Sequence, residues 1–278
     1  MKSASPVWRQ LEESADAIRD SLQMATLPET LLILGSGFKG FESRLQAAKE
    51  VQLDTIPHFP VPKVAGHGST LVCGNIDDRP VCVLTGRVHM YEGFSADDVV
   101  YPIRSLSTLG VQNVVLTNAA GSLQAIYQPG DLALIGDQIN FTGRNCLIGS
   151  GREFGEIFID MGRCYDEQLR RLIATKMSLP EATYVGVLGP TYETPAEVRM
   201  FAGCGGDIVG MSTVQEAIAA HQLQMRVVGL SFVTNMAGGI DLKLDHADVI
   251  EIVERNRKRL IDQLSEVVGL IASAGQQA

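Results

Sequence analysis

Apolar and polar positions along this chain repeat with two different periods, and the changes of period mark out its elements. Over residues 6–22, Trp8, Leu11, Ala15, Ile18 and Leu22 recur every three or four positions, the spacing of a helix with one buried face. This predicts an amphipathic opening helix whose role is packing. Short apolar runs at 31–34, 70–73, 81–85, 114–117, 132–135, 184–188 and 227–232 have the length and the bounding turn residues of buried strands. The runs 70–73 and 81–85 flank a turn-rich stretch, 75–80, and read as a hairpin. Helix starts are legible too. Ser95 stands three residues before Asp98, and Thr194-Pro195-Ala196-Glu197 joins a capping box to a proline at the first helical position. Asp245 opens a last helix in which Val249, Val253, Leu260, Leu264, Val267 and Ile271 form one stripe.

Strands alternating with helices, with no repeat or linker, predict an α/β fold of three layers. A mixed central sheet carries helices on both faces, and the hairpin supplies its antiparallel part. The 278 residues read as a single domain over 1–278, and 45% hydrophobic against 20% charged residues is enough to bury a core. Residues 105–130 carry no charge, but Gln112, Asn113, Asn118, Gln124 and Pro129 interrupt them. A buried strand and loop fit that run better than a bilayer span. The net charge of -9 argues against nucleic acid and anionic membranes as partners, so any bound anion must be held by local groups. Cys73, Cys82, Cys146, Cys164 and Cys204 are an odd set without a C-x-x-C pair, which suggests neither a disulfide framework nor a zinc site. Met1 to Pro6 lack the apolar core of a signal peptide. The expectation is a cytoplasmic protein.

Several segments have the composition of ligand loops. Gly35-Ser36-Gly37-Phe38-Lys39-Gly40 follows a strand and satisfies G-x-G-x-x-G, with Asp54 at a distance suited to a ribose. A dinucleotide-binding turn, a plain glycine turn and a loop wrapping one phosphate all use these glycines. The proline-broken Ile56-Pro57-His58-Phe59-Pro60 stands where a dinucleotide fold needs a long helix and a second parallel strand. Gly66-His67-Gly68 follows, and then Arg87-Val88-His89-Met90-Tyr91-Glu92. On a strand end Arg87 and His89 project to one side and suit an oxyanion, unless the edge is merely solvated with Arg87 paired to Glu92. No His-Glu-x-x-His or cysteine cluster supplies metal ligands. In Thr117-Asn118-Ala119-Ala120-Gly121-Ser122, small side chains admit either a ligand or a tight core crossing. Before the helix at 214–223, Ser212 with Gln215 reads as a capping box, and the same helix start suits a phosphate.

In order along the chain, these segments together with Gly189-Pro190-Thr191-Tyr192-Glu193-Thr194, Val209-Gly210-Met211-Ser212-Thr213 and Thr234-Asn235-Met236 closely resemble the trimeric purine nucleoside phosphorylases. The resemblance runs from the first strand to the last helix. It implies phosphorolysis of 6-oxopurine nucleosides such as inosine, guanosine or xanthosine, with inorganic phosphate as cosubstrate and no cofactor or metal. It implies a phosphate pocket of Ser36, His67, Arg87, His89, the backbone of Ala119, and Ser212. Tyr91 and Met211 would lie along the ribose, His246 would meet its 5'-hydroxyl, and Tyr192 would pack on the base. Glu193 and Asn235 would hydrogen-bond the purine edge and, with His89, carry the catalysis. Phe158 matches an aromatic that closes a neighbouring subunit's sugar site, so a homotrimer is implied. Gln138, Gln215 and Lys39 depart from the family's usual histidine, proline and glycine, and residues 142–155 form a shorter segment. A nucleoside-binding module without turnover and a dinucleotide-dependent oxidoreductase are the rival readings.

Overall fold

The computed structural model describes residues 5–62, 68–237 and 246–275. In chain order it runs α1 (Pro6–Leu22), β1 (Thr30–Ile33), β2 (Gln46–Gln52), β3 (Thr70–Ile76), β4 (Arg79–Leu84), α2 (Ala96–Ser107), β5 (Asn113–Ser122) and β6 (Leu132–Asn140). It continues through α3 (Glu167–Met177), β7 (Glu181–Gly186), α4 (Pro195–Gly203), β8 (Ile208–Gly210), α5 (Val214–Gln222), β9 (Arg226–Met236) and α6 (His246–Gly275). The strands make one mixed sheet in the order β2-β3-β4-β1-β5-β8-β7-β6-β9.

Alternation along the strands builds the layers. On β1, Leu31 and Ile33 join a core with Ile18 and Leu22 of α1, Leu106 of α2 and Ala217 of α5. Leu32 points the other way, into a second core with Leu169 of α3 and Leu260 and Leu264 of α6. Successive side chains of a strand face opposite ways, so a strand buried on both sides needs helices on both sides. Each fully buried leucine contributes about 1.5–3 kcal/mol. Three layers and a mixed sheet follow, as the alternating pattern predicts. The capping boxes at Ser95 and Thr194 both form, Ser95 accepting from Asp98 N and Thr194 from Glu197 N.

The sheet does more than the pattern foretold. β9 pairs with β6 and also, in parallel, with β5, so the strands from β5 to β9 close on themselves. Irregularities at Ala120/Gly121 and Ile135/Asp137 bend the ladders where the closure occurs. β2 escapes the sequence pattern because only Val51 in it is buried; it is an exposed edge strand. β5, β6 and β9 extend past their apolar runs into polar residues that the ladder pairs.

One expectation is overturned. Cys73 and Cys82 stand directly opposite in the β3–β4 hairpin, with Cα atoms 4.2 Å apart, and form a disulfide. Cross-strand register, not a local C-x-x-C spacing, brings them together. Among the described residues, no helix is long and apolar enough to cross a membrane.

Candidate active site

The parallel strands β4 and β1 end level with Leu116, beside the middle of β5, which runs on past them paired with β9; the carboxyl ends of such strands form the edge at which α/β sheets present ligand loops. Thr117 of β5 organises the first part of that edge. Its hydroxyl accepts from Gly35 N at 2.8 Å and donates to the Ile33 carbonyl at 3.1 Å. A Cβ at Gly35 would collide with the Thr117 carbonyl, so only glycine lets the turn after β1 lie this close to β5. Ser36, the next residue, is thereby set exposed above the sheet edge, beyond which Ala119 is half-buried.

Arg87 enters from the loop after β4, not from a strand end, because β4 stops at Leu84. It is only 7% exposed. Its Nη1 donates to the Thr117 carbonyl at 2.7 Å and to Ser212 Oγ at 3.3 Å, and its Nη2 donates to the Ile33 carbonyl at 3.3 Å. Its Nε lies 3.1 Å from Glu216 Oε1. Arg87 therefore pairs with Glu216 and not with Glu92, and much of its donor fork is turned into the protein. Glu216 is 1% exposed; burial raises its pKa, while the Arg87 charge acts in the opposite direction.

The cap of α5 is also reassigned. Thr213 and Glu216, not Ser212 and Gln215, form the capping box, with Thr213 N donating to Glu216 Oε2 at 3.1 Å. This releases Ser212 Oγ to sit 3.0 Å from Thr213 Oγ1 and within reach of Arg87. Thr213 adopts φ 70, which a β-branched residue holds only under constraint. Asn118 Nδ2, donating to Thr213 Oγ1 at 2.9 Å, helps to supply that constraint. His89, Met90, Met211, Ser212 and Thr213 line one cleft.

His89 stacks on Tyr91 with ring centroids 4.7 Å apart, and its Nδ1 is 2.9 Å from Glu92 Oε1. Burial, then the Glu92 charge, pushes the Tyr91 hydroxyl up to about 12, so it stays protonated. Tyr192 is exposed, and Glu193 is half-buried with a carboxyl pKa raised by desolvation. Asn235 faces Gly121 across β5–β9; its Oδ1 accepts from Thr234 Oγ1 at 2.8 Å and its Nδ2 donates to the Met236 carbonyl at 3.0 Å. The structure thus gathers Arg87 and Ser212 directly, with Ser36 in the turn after β1 and Ala119 within the adjoining strand β5. Phe158 is 84% exposed on the loop between β6 and α3. His67, Asp245 and the side chain of His246 lie outside the described residues.

Glu216, Thr213 and Thr117 were not singled out from the sequence as site residues. Thr213-x-x-Glu216 is itself a capping-box signature and was available to be read. The pairing of Glu216 with Arg87 joins two distant segments, and no local pattern announces it.

A model of the phosphorylase superfamily matches residues 30–269. Purine nucleoside phosphorylase 1 of Geobacillus stearothermophilus is 42% identical over 252 residues, covering 88% of this chain and 91% of its own. The purine nucleoside phosphorylase of Schistosoma mansoni, solved with inosine, superposes with a TM-score of 0.86 at 32% identity and covers 94% of this chain and 95% of its own. The same protein solved with adenosine gives a TM-score of 0.86 at 32% identity, with 94% and 96% covered.

Proposed function

Because the chain belongs to the phosphorylase superfamily, among its purine nucleoside phosphorylases, we propose that it serves purine salvage by cleaving 6-oxopurine nucleosides with inorganic phosphate. The products are the free base and ribose 1-phosphate, or deoxyribose 1-phosphate from a deoxynucleoside. One observation carries the assignment of the site. The turn after β1, the loop after β4, the middle of β5 and the start of α5 meet around Thr117, through Gly35, Arg87, Asn118 and Ser212. That junction offers hydroxyls and a buried guanidinium on a chain of net charge -9, as a local anion site requires.

In this reading Ser36, Ser212, the Ala119 N–H and His89 donate to the phosphate, and Arg87 acts on it mainly through its charge and its hold on Ser212. His67 belongs to the same proposed set, and His246 to the nucleoside set. Phosphate forms a bond to C1' as the bond from C1' to the purine nitrogen breaks, and the electron pair leaves with the base, which takes up a proton. Positive charge grows on the ribose and negative charge on the purine. The phosphate anion stabilises the first, and an N–H of Asn235 near N7 stabilises the second. One placed donor of this kind contributes about 2.7–4 kcal/mol to the transition state. Tyr91 and Met211 flank the ribose, Tyr192 covers the base, and the Glu193 carboxylate accepts from N1–H.

The dinucleotide reading loses its support, since β1 is followed, with no α-helix between, by the edge strand β2, which pairs with β3 of the hairpin and not with β1. Phe158, exposed and not among the residues that line this cleft, is the aromatic we assign to a neighbour's sugar site in a homotrimer. A cytoplasmic location remains part of the proposal, although the Cys73–Cys82 bond removes one of its sequence arguments. The deciding experiment is incubation with inosine, with and without phosphate, while hypoxanthine is measured. Phosphate-dependent release supports the proposal. Tight nucleoside binding without release would make the protein a binding module.

A further inference from the structure

The loop between β6 and α3, which carries Phe158, is fastened to one face of α5. Gln215, 2% exposed, accepts from Cys146 N at 2.8 Å and donates to Thr142 Oγ1 at 3.1 Å and the Arg144 carbonyl at 2.9 Å. Gln222, 7% exposed and two helical turns further on, donates to the carbonyls of Gly151 at 2.8 Å and Glu156 at 3.0 Å. His221 Nε2 is 2.8 Å from the Asp160 carbonyl. The Glu156 carboxylate then accepts from the main-chain N–H of Ile157 at 2.8 Å and of Phe158 at 3.1 Å. Those two bonds hold its pKa below the usual carboxylate range. An exposed aromatic is thus presented from a backbone that is tied down on both sides.

We infer that Gln222 is a positioning residue for the reaction: through Glu156 it sets Phe158, and so the sugar site of the neighbouring subunit. The inference rests on the reading of Phe158 given above. A contact aromatic held in place before substrate arrives loses less freedom on binding, so the link should act on nucleoside affinity. The start of α5 contributes Thr213 and Glu216 to the phosphate end of the cleft, while Gln222 lies at the far end of the same helix. Damage at Gln222 should therefore leave phosphate affinity alone.

The test compares Gln222→Leu, Glu156→Ala and Phe158→Ala in steady-state assays that vary inosine and phosphate separately, with sedimentation to follow assembly. Gln222→Leu is expected to raise the KM for inosine about fivefold, the worth of one lost hydrogen bond, with kcat and the phosphate KM near their starting values. Added to Phe158→Ala it should change nothing further. Should Gln222→Leu fail to fold, Glu156→Ala, at an exposed position, keeps the carbonyl that accepts from Gln222 and breaks the next step, the bonds from the main chain of Ile157 and Phe158 to the carboxylate. An increase with Phe158→Ala but not with Gln222→Leu or Glu156→Ala overturns the inference alone. Equal rises in both KM values, or loss of assembly, would make Gln222 structural and also overturn it. No change with Phe158→Ala overturns the assignment of Phe158 itself.

Discussion

At the scale of single residues, two carboxylates share a pKa raised by desolvation but differ in their partners. Glu216 is matched by Arg87, so Arg87→Ala leaves a charge stranded in the core and should cost about 3–5 kcal/mol, read as a lower urea midpoint. Adding Glu216→Gln should restore most of that stability while the phosphate KM stays high; a restored KM would take Arg87 out of the phosphate site. Glu193 has its pKa raised by desolvation, so on acidification it takes up a proton at a higher pH than an ordinary glutamate. If the ionised form binds N1–H, kcat/KM for inosine should fall as pH drops through that raised value. Glu193→Gln should flatten this acid limb as well as lowering the plateau. The role proposed for Asn235 is tested by the same logic. Its amide both donates and accepts, whereas aspartate only accepts and would favour a 6-amino group. Sites built on hydrogen bonds reject a mismatched analogue by about 10⁴–10⁵. Adenosine should accordingly have a kcat/KM far below that of inosine, and Asn235→Asp should narrow the gap; an unchanged ratio would remove Asn235 from the base site.

At the scale of elements, the turn after β1 lies against the main chain of β5 with no side chain between them. Gly35→Ala would push the turn after β1 away from the Thr117 carbonyl, and with it Ser36. Loss of the close approach should raise the phosphate KM about tenfold or more, since misplacement near 1 Å costs about 10²-fold in well-oriented sites. An unaltered KM would mean that the turn is only a connector. α5 likewise works at several points. Its first turn joins the cleft, and its buried Gln215 and Gln222 hold the loop after β6. The hairpin reading of β3 and β4 was legible because two apolar runs flank a turn, in which Asp77 and Asp78 adopt positive φ. β2 was not legible, because an exposed edge strand shows no hydrophobic alternation.

At the scale of the whole molecule, the proposed trimer makes a prediction of its own. A Phe158→Ala subunit retains its own base site but supplies no aromatic, and an Asn235→Ala subunit supplies the aromatic but has a defective base site. Each variant alone should be weak. Dissociating the two and reassembling them together should regain activity, because some interfaces then join an intact Asn235 to an intact Phe158. No gain on mixing, with mixed assemblies verified by mass, would place each site within one chain.

Sequence alone determined the layered α/β architecture, because periods of two and 3.6 residues report which faces must be buried, and burial is the dominant favourable term in folding. It also supplied the order of the ligand loops, since each is a short local motif of small and donor residues. Tertiary structure alone decided the closure of the strands from β5 to β9, the Cys73–Cys82 bond, the turning inward of Arg87 onto Glu216 and the fastening of the Phe158 loop to α5. Each of these joins residues whose contact depends on how elements pack. A guanidinium at a loop looks the same in sequence whether it faces solvent or a buried carboxylate. Only the fold, by removing water and bringing a distant partner within 3.1 Å, chooses between them.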